Sequence, residues 1–174
     1  MEEHTSSGGS IGPETSQPRM FRAPGPLEPV QLPWTWASVQ LKEAYNYWIA
    51  TTRPDGRPHS RPVWGVWLDE TFYFNTVSQA AQNLATNPAI TIHLESGSSV
   101  VIIEGVGETV SDPLLVQRLV SLFSQKYHGI MESNWLSEPF HAVRPHLAFG
   151  WIADALGRDG GAYFQGTATR WRFR

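Results

Sequence analysis

Apolar and polar positions change period several times along the chain, and each change marks an element. Leu41, Ala44 and Tyr45, continuing to Trp48, recur at helical spacing and predict a helix over 36–46. From Tyr47 to Thr52 the period becomes that of a strand. Arg53-Pro54-Asp55-Gly56-Arg57 follows: Pro presets φ early in the turn and Gly after Asp supplies a positive one, a hairpin signal. The return strand is expected over 58–68, a tight turn at Asp69-Glu70, and a third strand over 71–75, which together make a meander.

Ser78 can cap a short helix over 79–86 that Asn87-Pro88 closes. Ile90, Ile92 and Leu94 alternate inward along a strand over 89–94. A turn at 96–98 leads to a long strand over 99–110, in which Gly105 and Gly107 mark a bend or a close backbone approach. Asp112-Pro113 supplies an N-cap and a first helical residue. Beyond it Leu115, Val116, Leu119, Val120, Leu122, Phe123 and Tyr127 form a wide apolar face over 113–127. Residues 129–144 read as irregular, 146–152 as a strand, 154–161 as a Gly-rich loop and 167–173 as the closing strand. Seven strands joined mainly by short connections, with three helices, favour a mainly β (α+β) antiparallel barrel with peripheral helices over a doubly wound parallel sheet. The Pro-, Gly- and Ser-rich residues 1–31 are expected as a disordered tail and 32–174 as the one domain.

Composition narrows the class of partner. Charged residues are only 17% of the 174, yet eight are Trp, which favours half-wet interfaces and ligand walls. Part of the surface is therefore expected to be covered by a ligand or a second chain, a Trp-rich core being the other reading. A net charge of −3 with no basic run leaves no electrostatic footprint for nucleic acid. Absence of Cys excludes disulfides, thiol nucleophiles and Cys-ligated zinc. No apolar run approaches the roughly 18 residues of a membrane span, and 1–19 lack the apolar core of a secretory leader, so a cytoplasmic protein is expected.

Three places can carry chemistry. Arg61 precedes Pro62-Val63-Trp64-Gly65-Val66-Trp67, a run apolar on both faces that needs cover on both, by the core on one side and by a ligand or second subunit on the other. Arg61 can grip a phosphate or carboxylate there, or simply meet solvent at a strand start. Asn75-Thr76-Val77-Ser78-Gln79 leads into a helix N-terminus, where free N–H groups favour anions; Ser78 as a plain cap is the alternative. Arg170, Arg172 and Arg174 share one face of the last strand, facing an anionic ligand or protecting a sheet edge. The six histidines form no metal-ligating pattern, and no nucleophile elbow or dinucleotide loop occurs.

The hairpin from Tyr47 through His59, then Arg61-Pro62-Val63-Trp64-Gly65-Val66-Trp67, resembles the opening hairpin of the pyridoxamine-5′-phosphate-oxidase-like family. Tyr73-Phe74-Asn75-Thr76, Asn83-Leu84-Ala85-Thr86-Asn87-Pro88 and the closing Phe164-Gln165-Gly166-Thr167 with Arg170-Trp171-Arg172-Phe173 are similar to its later segments. The likeness spans about residues 35–174. It implies a six- to seven-stranded antiparallel split β-barrel that dimerises and holds a flavin, FMN or else the deazaflavin coenzyme F-420, in a groove between subunits. By the resemblance, Arg61, Pro62, Val63 and Trp64 line the ring, Asn75, Thr76, Ser78 and Gln79 approach the ribityl and phosphate, and Arg170 and Arg172 reach the cofactor or substrate. Trp64 and Trp67 would form an aromatic wall. The implied activity is that of an oxidoreductase on a small molecule, with non-enzymatic binding of a flavin or other ring ligand as the alternative. No catalytic residue is assigned, Tyr127 and His128 being candidate proton donors only. Where many flavin-binding members place basic residues after the helix-capping serine, this chain has Gln79 and Ala80.

Overall fold

A computed structural model of the chain describes residues 12–18, 28–128, 138–159 and 161–174. In chain order the elements are β1 (Glu14–Ser16), α1 (Trp34–Glu43), β2 (Asn46–Thr52), β3 (Pro58–Trp64), β4 (Val66–Leu68), β5 (Thr71–Asn75) and α2 (Gln79–Thr86). Then come β6 (Ala89–His93), β7 (Ser99–Thr109), α3 (Pro113–Lys126), β8 (Phe140–Ile152), α4 (Ala162–Thr167) and β9 (Thr169–Arg172).

Every ladder is antiparallel, and the ladders return to their starting strand. β2 pairs with β3, which runs through Gly65 into β4; β4 pairs with β5, β5 with β8, β8 with β7, β7 with β6, and β6 with β2. The long β8 splits one of its edges between two partners, β5 along residues 140–143 and β9 along 147–150. This is the antiparallel α+β split barrel expected from the sequence. Alternation fills it: Tyr47 and Ile49 of β2, Phe72 and Phe74 of β5, Ile90 and Ile92 of β6, Val101 and Ile103 of β7, and Trp171 of β9 pack together with Ala37 and Leu41 of α1. A second cluster forms where α3 lays Leu119, Phe123 and the following Tyr127 against Val66, Tyr73 and Phe140.

The helix caps follow the sequence. The Ser78 hydroxyl accepts from the Ala80 N–H, and the Asp112 carboxylate accepts from the Leu114 N–H. Departures from the expected elements have local causes. The expected return strand over 58–68 is two strands, because a Cβ at residue 65 would lie 2.3 Å from the Phe72 ring and 2.9 Å from the Tyr73 carbonyl; only glycine lets β5 cross there. β8 begins at Phe140, within the stretch expected to be irregular. Pro145 interrupts the local pattern, but it sits at a register shift where Glu104 and Gly105 face Leu147 and Pro145, the kind of irregularity at which a strand tolerates proline. A fourth helix, α4, precedes β9, and Glu14–Ser16, inside the stretch expected as a tail, pairs with β9. Asp69 and Glu70 form their tight turn at φ of 48° and 58°. Left-handed backbone costs a non-glycine residue about 1–2 kcal/mol. Here the Glu70 carboxylate accepts from the Trp34 indole N–H and the Ser38 hydroxyl, and Asp69 pairs with Arg118 at 3.2 Å.

Candidate functional site

Register places the candidate residues before any ligand is considered. In the β2–β3 hairpin Trp64 lies opposite Asn46, Val63 opposite Tyr47, Pro62 opposite Trp48 and Arg61 opposite Ile49. Tyr47 and Ile49 turn into the barrel, so Asn46 and Trp48 face the other way. A cavity of about 400 Å³ is lined by Asn46, Trp48, Arg61, Pro62, Val63, Trp64, Asn75 and Glu95, within the usual range of small-molecule pockets. Arg61, Pro62, Val63, Trp64 and Asn75 are thus brought together.

Arg61 is half-buried and its Nε donates to the Pro62 carbonyl at 3.4 Å. Among the described residues no carboxylate lies within 4 Å of its guanidinium. The bidentate fork can therefore take an anionic group. Trp64 stacks on Tyr127, with ring centroids 4.7 Å apart and planes at 12°. Trp48 stacks on His93 at 6.2 Å and 4°, which braces the opposite wall. Trp67 is a correction to the expected aromatic wall. It is buried in the barrel core and gives its indole N–H to the Ser38 hydroxyl.

Thr76, Ser78 and Gln79 follow Asn75 into α2 and form a self-contained polar turn. The Thr76 and Ser78 hydroxyls bond each other at 2.7 Å, and the Ser78 N–H donates to Thr76 Oγ1. Gln79 is turned along the helix, its Nε2 donating to Asn83 Oδ1 at 2.9 Å, and Ala80 is wholly buried. No cationic side chain stands at these two positions. Beside the turn, burial lowers the pKa of His141, partly opposed by its bond to the Thr76 backbone.

Arg170 and Arg172 stand elsewhere in the chain's own fold. Arg170 Nε donates to the Ser16 hydroxyl of β1 at 3.1 Å. Arg172 lines a different cavity, of about 770 Å³, with Trp34, Glu70, Phe173 and Arg174. Neither lines the Arg61 cavity. Of the candidate proton donors, Tyr127 is wholly buried with its hydroxyl bonded to the Gly65 backbone, and burial pushes its pKa up to about 12. His128 is exposed, at a φ of 54°.

Asn46, Trp48 and Glu95 are lining residues that sequence reasoning missed. Parity could have found Trp48, since β2, like β3, carries a large apolar side chain on the face turned away from the core. Glu95 lies beyond the end of β6, where no period applies. Among the described residues no cluster of His, Asp and Glu can hold a metal ion, and no helix is long and apolar enough to cross a membrane.

A closed antiparallel barrel split along one strand, with a cavity walled by Trp48 and Trp64 beside its first hairpin, defines the split-barrel class. The chain belongs to the pyridoxamine 5′-phosphate oxidase family, whose model matches residues 37–170. Among solved structures it is similar to an F420 reductase, at 23% identity and a TM-score of 0.54, over 64% of this chain and 94% of that one. It is also similar to the conserved hypothetical protein Rv2991 from Mycobacterium tuberculosis, at 21% and 0.63, over 75% and 90%. A third is an FAD-binding protein from Mesorhizobium loti, at 13% and 0.58, over 82% and 96%. At these identities the likeness is one of fold. No curated protein matches the chain.

Proposed function

We propose that the chain is a flavin-type oxidoreductase acting on a small molecule, with FMN or the deazaflavin coenzyme F-420 seated in the Arg61–Trp64 cavity of a cytoplasmic homodimer. The observation that carries this reading is the convergence of Arg61, Pro62, Val63, Trp64 and Asn75 on one cavity of about 400 Å³. Its donor set fits such a group: Trp48 and Trp64 offer flat faces to a heterocycle, Arg61 offers a guanidinium to an anion, and Asn46 offers an amide to a ring edge. Bound there, the cofactor would supply the hydride chemistry, while the chain positions it and excludes water. A family relationship and similarity to an F420 reductase and an FAD-binding protein support a flavin-type ligand. Arg170 and Arg172 would then act in the groove only from a second subunit.

The second reading is a non-enzymatic protein that binds a flavin or another ring ligand. It is favoured by the α2 N-terminus, where Gln79 is tied to Asn83 and Ala80 is buried, so neither position offers a basic side chain to a phosphate. Titration with FMN and with coenzyme F-420, followed by fluorescence quenching, tests both readings. Binding of neither ring removes the first reading and the flavin form of the second. Binding followed by turnover of a quinone or enone panel with reduced cofactor supports the first, and binding without turnover supports the second.

A further inference from the structure

The sharpest polar construction outside the cavity surrounds one peptide, that of Gly65, the residue after Trp64. The Gly65 N–H donates to the Tyr127 hydroxyl at 2.8 Å. That hydroxyl has one proton and two carbonyls within reach, Gly65 at 2.8 Å and Tyr45 at 2.9 Å. Lys126 Nζ donates to the Gly65 carbonyl at 2.8 Å and to the Tyr47 hydroxyl at 2.9 Å, and the Tyr47 hydroxyl donates in turn to the Leu41 carbonyl. Lys126 also lies over the Tyr47 ring, 4.8 Å from its centroid.

Stability alone does not call for this arrangement. A buried polar network contributes only when every member is satisfied, and apolar residues of similar volume would pack the same gap at no polar risk. What the network does provide is geometry. Gly65 is where the chain stops pairing with β2 and starts pairing with β5, so its peptide is the least constrained by ladders. The same Tyr127 that grips it covers a face of the Trp64 indole.

We infer that Lys126 and Tyr127 are positioning residues of the Arg61–Trp64 cavity, fixing the plane of the Trp64 indole through the Gly65 peptide. The consequence for ligand affinity rests on the ring-ligand reading above, whereas the positioning itself is a property of the protein alone. A ring entering the cavity then meets an indole already held in place, and its binding free energy is not spent on ordering that wall.

The test labels the chain with 5-fluorotryptophan and identifies the Trp64 fluorine resonance by its loss in Trp64→Phe. In Tyr127→Phe and in Lys126→Met the Trp64 line is expected to shift or broaden while the Trp67 and Trp171 lines stay in place. Lys126→Arg keeps a donor for the Gly65 carbonyl and is expected to keep the parental line. A Trp64 line unmoved in both variants, or moved equally by Lys126→Met and Lys126→Arg, overturns the inference. Should Tyr127→Phe fail to fold, the Met-against-Arg comparison decides alone. FMN and coenzyme F-420 are then added separately to the parent. If neither moves the Trp64 line, the flavin-type reading falls, while the positioning stands on spectra taken without ligand. If one binds, Tyr127→Phe is expected to weaken it about three- to tenfold; an unchanged affinity overturns the role in binding.

Discussion

Asn83 of α2 donates from its side-chain amide to the Thr51 hydroxyl of β2 at 2.9 Å, with both residues buried. Gln79 donates to the other end of the same amide. The Asn of the Asn-Leu-x-x-Asn-Pro element thereby fastens the short helix to the barrel. Asn83→Ala leaves Thr51 without that donor and is expected to lower stability by about 1–3 kcal/mol, read as a lower urea midpoint with an unchanged slope. A midpoint equal to the parent's would mean that α2 is held by Ala80 and Leu84 packing alone.

Arg61→Ala removes the one cation that lines the cavity among the described residues. Under the flavin-type reading it is expected to weaken FMN or coenzyme F-420 binding at least about tenfold, equivalent to roughly 1.4 kcal/mol. Equal affinity in the variant would take Arg61 out of the binding site.

Gln79→Arg restores a basic residue at the start of α2. A charged hydrogen bond to a phosphate is worth about 1.5–3 kcal/mol, so FMN affinity is expected to rise by about tenfold or more. A cation beside a helix N-terminus opposes the helix dipole by about 0.3–1 kcal/mol, so a slightly lower melting temperature is expected without ligand. Titrations of the two proteins that superimpose would show that the phosphate does not sit at this turn.

Gly65→Ala drives a methyl group into the Phe72 ring at 2.3 Å. Overpacking of this kind costs about 1–3 kcal/mol, and Phe72→Leu in the same chain is expected to recover part of it. Denaturation of the two single variants and the double variant measures the coupling. Strictly additive losses would show that the strain lies in the backbone rather than against that ring.

Burial holds the Lys126 ammonium down at about 8, below its ordinary 10.5. Between these values the unfolded chain keeps a proton that the folded chain has released, so stability rises with pH. Burial raises the Tyr127 and Tyr47 hydroxyls above their ordinary 10.0, so above pH 10 the unfolded phenols ionise first and stability falls again. The urea midpoint of the parent is therefore expected to climb from pH 8 to 10, and that of Lys126→Met to stay level. Parallel curves for the two would place the Lys126 ammonium in water.

Local pattern determined a great deal of this protein. Period two placed Ile90 and Ile92 in the core, and Asp112-Pro113 placed the start of α3. The two-sided apolar run after Arg61 marked one wall of the cavity, because a strand greasy on both faces must be covered on both. Trp67 was expected beside Trp64 in the wall, and only the packing of the core shows it buried there. Other features depend on which strands become neighbours. Gly65 reads as a place of close approach, but only the crossing of Phe72 shows what approaches and why one expected strand is two. Pro145 looks like a break until β7 lends it a register shift. Asn46 and Glu95 meet Arg61 because β2, β3 and the chain beyond β6 converge in space, and Arg170 and Arg172 stand apart from it because β9 pairs with β8 and β1. Periodicity records which way a side chain faces along its own strand; the ladders and the closure of the barrel decide what it faces.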